Sequence, residues 1–162
     1  MTLHCMNLSE LTAARTSPTL KRYDIDGRLT LGGQPQPEDW AALAAEGFRA
    51  VVNMRSDPQR AADQQRSAEA AGLRYLHLPL PAYELESEHL AAFHAVMAAQ
   101  EGRVLLHCRS ATRVALMWLL ERVVYDGWSR GRAEQALRDA GYGDDSMETF
   151  SFCADDYFER AA

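Results

Sequence analysis

The sequence predicts one α/β domain built on a mostly parallel central sheet flanked by helices. Three observations lead there. A chain of 162 residues with 47% apolar content suits one compact core and is short for two. Its segments alternate between strand and helix patterns from residue 29 onward before closing on helices. The strands in that series, Ala50-Val51-Val52 and Val104-Leu105-Leu106, are short and continuously apolar, as strands covered on both faces are.

Residues 1–28 are the least periodic and are expected to form an arm laid over a domain of residues 29–162. Leu29 to Gly33 reads as a short strand. Gln36-Pro37-Glu38-Asp39 then looks like a helix start, with proline in the first turn and acids at the positive end of the dipole. That helix runs to Glu46 and stops at Gly47. Phe48 to Met54 is a buried strand, Asp57-Pro58 opens a helix that ends near Gly72, and Leu73 to Leu78 is the next strand. After the loop Pro79-Leu80-Pro81, Ser87 caps a helix with an apolar face of Leu90, Phe93, Val96 and Met97, ended by Gly102. Val104 to Leu106 leads through a polar loop into the apolar helix Val114 to Tyr125. Ser129 to Ala140 and Ser146 to Glu159 are two further helices, separated by Gly141-Tyr142-Gly143.

Composition narrows the function classes. Seventeen basic residues, all but one of them Arg, face twenty-three acidic ones for a net charge of -6. Nonspecific nucleic-acid binding and anionic membranes both need a broad positive field, so neither is expected as a partner and any anion site must be local. The longest strictly apolar run, Val114 to Leu120, is far below the roughly 18 residues a membrane span needs. Met1 to Arg15 lacks a basic stretch followed by an apolar one, so a cytoplasmic address is expected. Cys5, Cys108 and Cys153 are odd in number and widely spaced, which predicts free thiols rather than a disulfide framework or zinc site. His89 and His94 lack the spacing of a metal pair, and neither a metal nor another cofactor is indicated.

Chemistry concentrates between Val104 and Leu120. A cysteine stands at the mouth of a strand, a short polar loop follows, and Arg113 falls where a helix begins. Ligands of parallel sheets bind beyond the carboxyl ends of the strands. Loop amides, the helix dipole and a forked guanidinium together make an anion trap. The same field favours a thiolate on Cys108, the nucleophile such a site needs. The Cys-to-Arg spacing is weak by itself in an arginine-rich chain; the apolar strand before it and apolar helix after it carry the reading. A small cysteine packed under a helix is the plain structural alternative.

His107-Cys108-Arg109-Ser110-Ala111-Thr112-Arg113 resembles the signature of protein tyrosine and dual-specificity phosphatases. Together with Leu31-Gly32-Gly33-Gln34-Pro35 and Val51-Val52-Asn53-Met54-Arg55, it resembles more closely the small bacterial group labelled beta-lactamase-hydrolase-like phosphatases. The resemblance spans roughly Leu29 to Ala140. It implies a dual-specificity-phosphatase fold, with Cys108 as nucleophile, Arg113 as anion clamp and His107 as a residue that orients or tunes the thiolate; a histidine simply packed at a strand end is the alternative for His107. Arg109, Ser110, Ala111 and Thr112 would line the substrate, and Arg55 would hold a substrate oxygen or brace the loop; a salt bridge to Asp57 or another acid is the bland alternative for Arg55.

Three departures from the phosphatase pattern stand out. Four residues separate Cys108 from Arg113, where tyrosine phosphatases have five and rhodanese-type sulfurtransferases commonly four. Ala111 replaces a common glycine, which limits the loop's freedom for positive φ. Val114 replaces the usual hydroxyl residue, so a departing thiolate loses one hydrogen bond and release of a cysteinyl-phosphate slows. A general acid is also needed, normally an Asp, yet none lies between Asp63 and Asp126. Glu84, Glu86 and Glu88 are the candidates, with Glu84 nearest the family's position; each could equally be a solvated acid near a helix start.

The reading is a cysteine-dependent phosphatase acting on a phosphate ester or phosphoprotein. Its rivals are a rhodanese-like sulfurtransferase that takes a sulfane sulfur from a donor as a persulfide on Cys108, and a weakly active anion-binding regulatory domain.

Overall fold

A computed structural model describes residues 16–81 and 84–162. Within them the chain runs β1 (Arg22–Asp24), β2 (Leu29–Gly32), α1 (Asp39–Glu46), β3 (Phe48–Asn53), α2 (Pro58–Ala70), β4 (Arg74–His77), α3 (Ser87–Ala98), β5 (Arg103–His107), α4 (Thr112–Asp126), α5 (Arg130–Ala140) and α6 (Asp144–Ala161). The strands form one sheet in the order β1-β2-β5-β3-β4. β2, β5, β3 and β4 are parallel, and β1 pairs antiparallel with β2. The α/β class with a mostly parallel sheet is as the sequence predicts.

β1 falls inside the segment expected as an arm. Three residues are too few to show a readable alternation; the strand is made by its hairpin. The Asp26 carboxylate accepts the N–H groups of Arg28 and Leu29, both at 2.8 Å, closing the turn that lays β1 against β2.

Helix starts follow local chemistry; α4 and α6 each begin two residues before the expected Val114 and Ser146, and α1 and α3 shift through side-chain bonds. Asp57 caps α2 by accepting the Gln59 and Arg60 N–H groups at 3.0 and 3.1 Å, with Pro58 first in the helix. α1 begins at Asp39, one turn later than the Gln36-Pro37 signal, because the buried Asp39 carboxylate turns back to accept the Gln36 N–H at 2.8 Å and the Ser17 hydroxyl at 3.1 Å. α3 is capped by Glu86 rather than Ser87. The Glu86 N–H donates to His89 Nδ1 at 2.9 Å, while the Ser87 hydroxyl faces the Tyr157 hydroxyl at 3.2 Å.

Strand alternation divides the core. Leu105 points to one face, where Trp40, Leu43 and Ala68 of α1 and α2 cover it with Phe48 and Val51. Val104 and Leu106 point to the other, against α3 to α6 through Phe93, Leu119, Leu137 and Phe150. α4 is buried from Val114 to Glu121, which is why its sequence is apolar all round. No helix among the described residues is long and apolar enough to cross a membrane.

This topology decides where chemistry can sit. β5 lies between β2 and β3, and His107 pairs in register with Gly32 on one side and Asn53 on the other. Residue 108 is therefore the first to leave the sheet at its centre.

Candidate active site

Neighbouring strands hold the backbone on both sides of Cys108. The Cys108 N–H donates to the Gly32 carbonyl at 3.2 Å, and the Met54 N–H donates to the His107 carbonyl at 2.9 Å. The Arg109 carbonyl accepts the Gln34 N–H at 3.2 Å, and a Cβ on Gly33 would sit 3.2 Å from that same oxygen. Gly33 thus allows close approach of the end of β2 to the loop, while a Cβ on Gly32 would crowd the Leu105 side chain at 3.0 Å. Ala111 then takes φ 66°, ψ 10°, a left-handed conformation, and α4 begins. The expected shortage of positive-φ freedom is corrected here: Ala111 adopts it regardless, at about 1–2 kcal/mol for a residue with a Cβ. Tertiary contacts hold it there, with the side chain fully buried and the carbonyl accepting the Tyr142 hydroxyl at 2.7 Å.

Over Cys108 opens a cavity of about 290 Å³ whose wall includes Arg109, Ser110, Thr112, Arg113 and Phe150. Ala111 is not in that wall; among the loop residues it is the one turned to the core. The first-turn amides of α4 have no intrahelical acceptor and supply donors at the loop's end. Arg113 Nη1 donates to the Met54 carbonyl at 2.7 Å, which anchors the guanidinium, and its Nε is buried with no partner among the described residues. The Ser110 and Thr112 hydroxyls lie 3.3 Å apart on the rim. Arg55 Nη1 donates to Gln34 Oε1 at 2.9 Å, so Arg55 braces the residue that holds Arg109. The bland expectation of a salt bridge from Arg55 to Asp57 or another acid is not met among the described residues; the Asp57 carboxylate instead caps α2. Partial burial, with Arg60 and Arg109 nearby, lowers the Arg55 pKa, while Asp57 and Cys108 oppose that shift.

His107 is fully buried, lies outside the cavity wall, and its Nδ1 donates to the Cys108 carbonyl at 3.4 Å. Burial, aided by the charges of Arg55 and His77, pushes its pKa down to about 4, against a weaker opposing effect of that hydrogen bond. A neutral imidazole orients the loop and adds no positive charge to it. The unfolded chain takes up a proton on this residue as pH falls below about 6.5 and the folded chain does not until about 4, so stability is lost over that window as pH falls. Between pH 7 and 5 the loss is expected to be about 2 kcal/mol. Urea unfolding at both pH values, for wild type and His107→Asn, checks this; equal pH slopes for the two proteins remove the attribution.

Residues 24–124 match the sequence profile of the phosphatase-like domain of the beta-lactamase hydrolase-like protein. The chain belongs to this family. It is 32% identical over 120 residues to the beta-lactamase hydrolase-like protein of Xylella fastidiosa, covering 71% of this chain and 28% of that protein. It is 29% identical over 136 residues to the dual specificity protein phosphatase TpbA of Pseudomonas aeruginosa, covering 82% of this chain and 60% of that one. The chain thus spans a little over a quarter of the Xylella relative. The crystal structure of TpbA superposes with a TM-score of 0.67 at 26% identity over 86% of each chain. A further TpbA crystal structure, a Cys-to-Ser form, is a complex with phosphotyrosine and gives a TM-score of 0.65 at 25% identity over 85% of this chain and 84% of that one.

In this phosphatase-like domain the acid candidates separate. Glu84 is exposed, takes φ 54°, and lines a second cavity of about 190 Å³ with Leu85, Phe152 and Tyr157. That cavity adjoins the first, sharing Leu116 and Cys153 as common wall. Glu86 is paired with Arg160 at 3.1 Å, and Glu88 sits exposed in the first turn of α3. Cys153 of α6 reaches the site, a distance sequence could not supply; Cys5 lies outside the described residues. Sequence reasoning missed Gln34, Met54 and Tyr142. Gln34 and Met54 lie within stretches that carried the resemblance, whereas Tyr142 showed no signal beyond the glycines on either side of it.

Proposed function

We propose that this domain hydrolyses phosphate monoesters through a cysteinyl-phosphate on Cys108. The observation that carries the reading is Cys108 at the floor of a cavity walled by an arginine clamp and a helix start, at the carboxyl end of the central strand. The Cys108 thiolate attacks phosphorus in line; the S–P bond forms as the bond to the leaving oxygen breaks. Arg113 and the loop amides stabilise the equatorial oxygens. Glu84, on the side where the second cavity adjoins, protonates the leaving oxygen. Water then attacks phosphorus, releasing inorganic phosphate and restoring the thiolate. An aryl ester such as phosphotyrosine is the substrate class we propose, after the ligand of the TpbA complex.

Glu84→Gln is expected to lower kcat for an alkyl phosphate by about 10²-fold. The basic limb of the kcat–pH profile should flatten, because that limb reports loss of the acid's proton, while iodoacetamide labelling of Cys108 is unaffected. An unchanged profile removes Glu84 from the mechanism.

A second reading, sulfur transfer through a persulfide on Cys108, is favoured by the four-residue spacing to Arg113, which makes a tighter loop. Intact-protein mass spectrometry after brief exposure to an aryl phosphate or, separately, to thiosulfate decides between them. A phosphoryl adduct supports the phosphatase. One added sulfur atom, with no phosphoryl adduct and no release of phosphate, overturns it.

A further inference from the structure

Tyr142 stands in the turn between α5 and α6, remote in sequence from the loop, and its hydroxyl donates to the Ala111 carbonyl at 2.7 Å. Little in its surroundings leaves the ring free to move. It is buried, stacks on Tyr23 of β1 with centroids 3.8 Å apart and planes 12° from parallel, and meets the edge of Phe150 at 5.2 Å. Its own N–H donates to the Leu137 carbonyl at 3.1 Å, fixing the turn beneath it. Burial, with Tyr23 and Cys108 adding to it, raises the phenol pKa, so the group stays a donor.

The carbonyl it grips belongs to the one residue of the loop that is both left-handed and turned to the core. The next residue, Thr112, lines the Cys108 cavity. A trans peptide is planar, and its carbonyl and N–H point in opposite directions. Holding the Ala111 oxygen on the core side therefore turns the Thr112 N–H away from Tyr142. That amide is the first of α4, among the orphan donors of a helix start. Without the hydroxyl, the buried Ala111 carbonyl loses its partner and this peptide unit is free to rotate away from its strained setting.

We propose that Tyr142 is a positioning residue of the anion loop: by gripping the Ala111 carbonyl it aims the Thr112 N–H at the oxyanion held over Cys108. The inference rests on the phosphatase reading for the identity of that oxyanion. Tyr142 touches no substrate; it acts through the loop.

The test uses Tyr142→Phe, which keeps the ring packing and removes the hydroxyl, with orthovanadate as the probe of the anion site. Inhibition by vanadate is expected to weaken about tenfold or more, and kcat for an aryl phosphate to fall by about 10–100-fold. Ala111→Gly in the Tyr142→Phe background separates aim from strain, because glycine adopts positive φ without cost yet cannot fix the peptide's direction. The double variant is expected to recover melting temperature but not vanadate affinity, and it carries the test if Tyr142→Phe alone does not fold. Wild-type vanadate affinity in Tyr142→Phe overturns the inference alone, as does full recovery of affinity in the double variant. A wild type that neither binds vanadate nor releases phosphate from an aryl ester overturns the phosphatase reading and this inference with it.

Discussion

Cys108→Ser is expected to lower turnover of an aryl phosphate by at least about 10⁴-fold and to leave no covalent adduct by mass spectrometry. A serine hydroxyl is far less acidic than a thiol, and nothing in the loop is placed to take its proton. Its neighbour His107 is turned into the core with Nδ1 on the Cys108 carbonyl, so it cannot serve as the base. The variant should fold normally. Residue 108 is buried, oxygen is smaller than sulfur, and the backbone bond from residue 108 to the Gly32 carbonyl does not depend on the side chain. On the phosphatase reading, Val114 in place of a hydroxyl residue is expected to slow breakdown of the cysteinyl-phosphate, so that the wild-type adduct is trapped in the same experiment. Turnover by Cys108→Ser near the wild-type rate would end the covalent reading.

Arg113→Lys is expected to reduce kcat/KM by about 10²–10³-fold with little change in melting temperature. Arg113 has two tasks at once. One Nη1 hydrogen bond anchors it to the Met54 carbonyl at 2.7 Å, and the side chain lines the cavity over Cys108. A lysine ammonium is a single point donor; satisfying Met54 leaves it poorly placed to bind two oxygens of a tetrahedral anion. Steady-state kinetics and thermal unfolding on the same preparation separate the tasks. A loss below tenfold would mean that loop amides, not the guanidinium, carry the anion.

How much of this was legible before the fold was known can be argued from particular residues. The apolar runs at Val104–Leu106 and Val114–Leu120 located the central strand and the buried helix, because burial on both faces leaves a continuous hydrophobic signal, and the loop between them marked the candidate site. Pro58 and Asp57 marked α2 because capping is a contact between residues near in sequence. β1 was invisible since three residues carry no period, and its order comes from pairing with β2. The Ser87 cap was misread by one residue because Glu86 and His89 supply an alternative pair of local bonds.

By itself the sequence determined the α/β class, the position of the candidate site after the strand Val104–Leu106, and the residue types proposed for it, all properties of short-range patterning and covalent order. Only the tertiary structure decided how those groups are held. Gln34 joins the loop through Arg109 and Arg55, Met54 anchors Arg113, and Tyr142 secures Ala111 from a turn 31 residues away. The same packing left His107 neutral and put Glu84 in the adjoining cavity rather than over Cys108. The reason is physical: hydrogen-bond partners and the dielectric around a charge depend on atoms brought together by folding, and sequence separation carries no record of those distances.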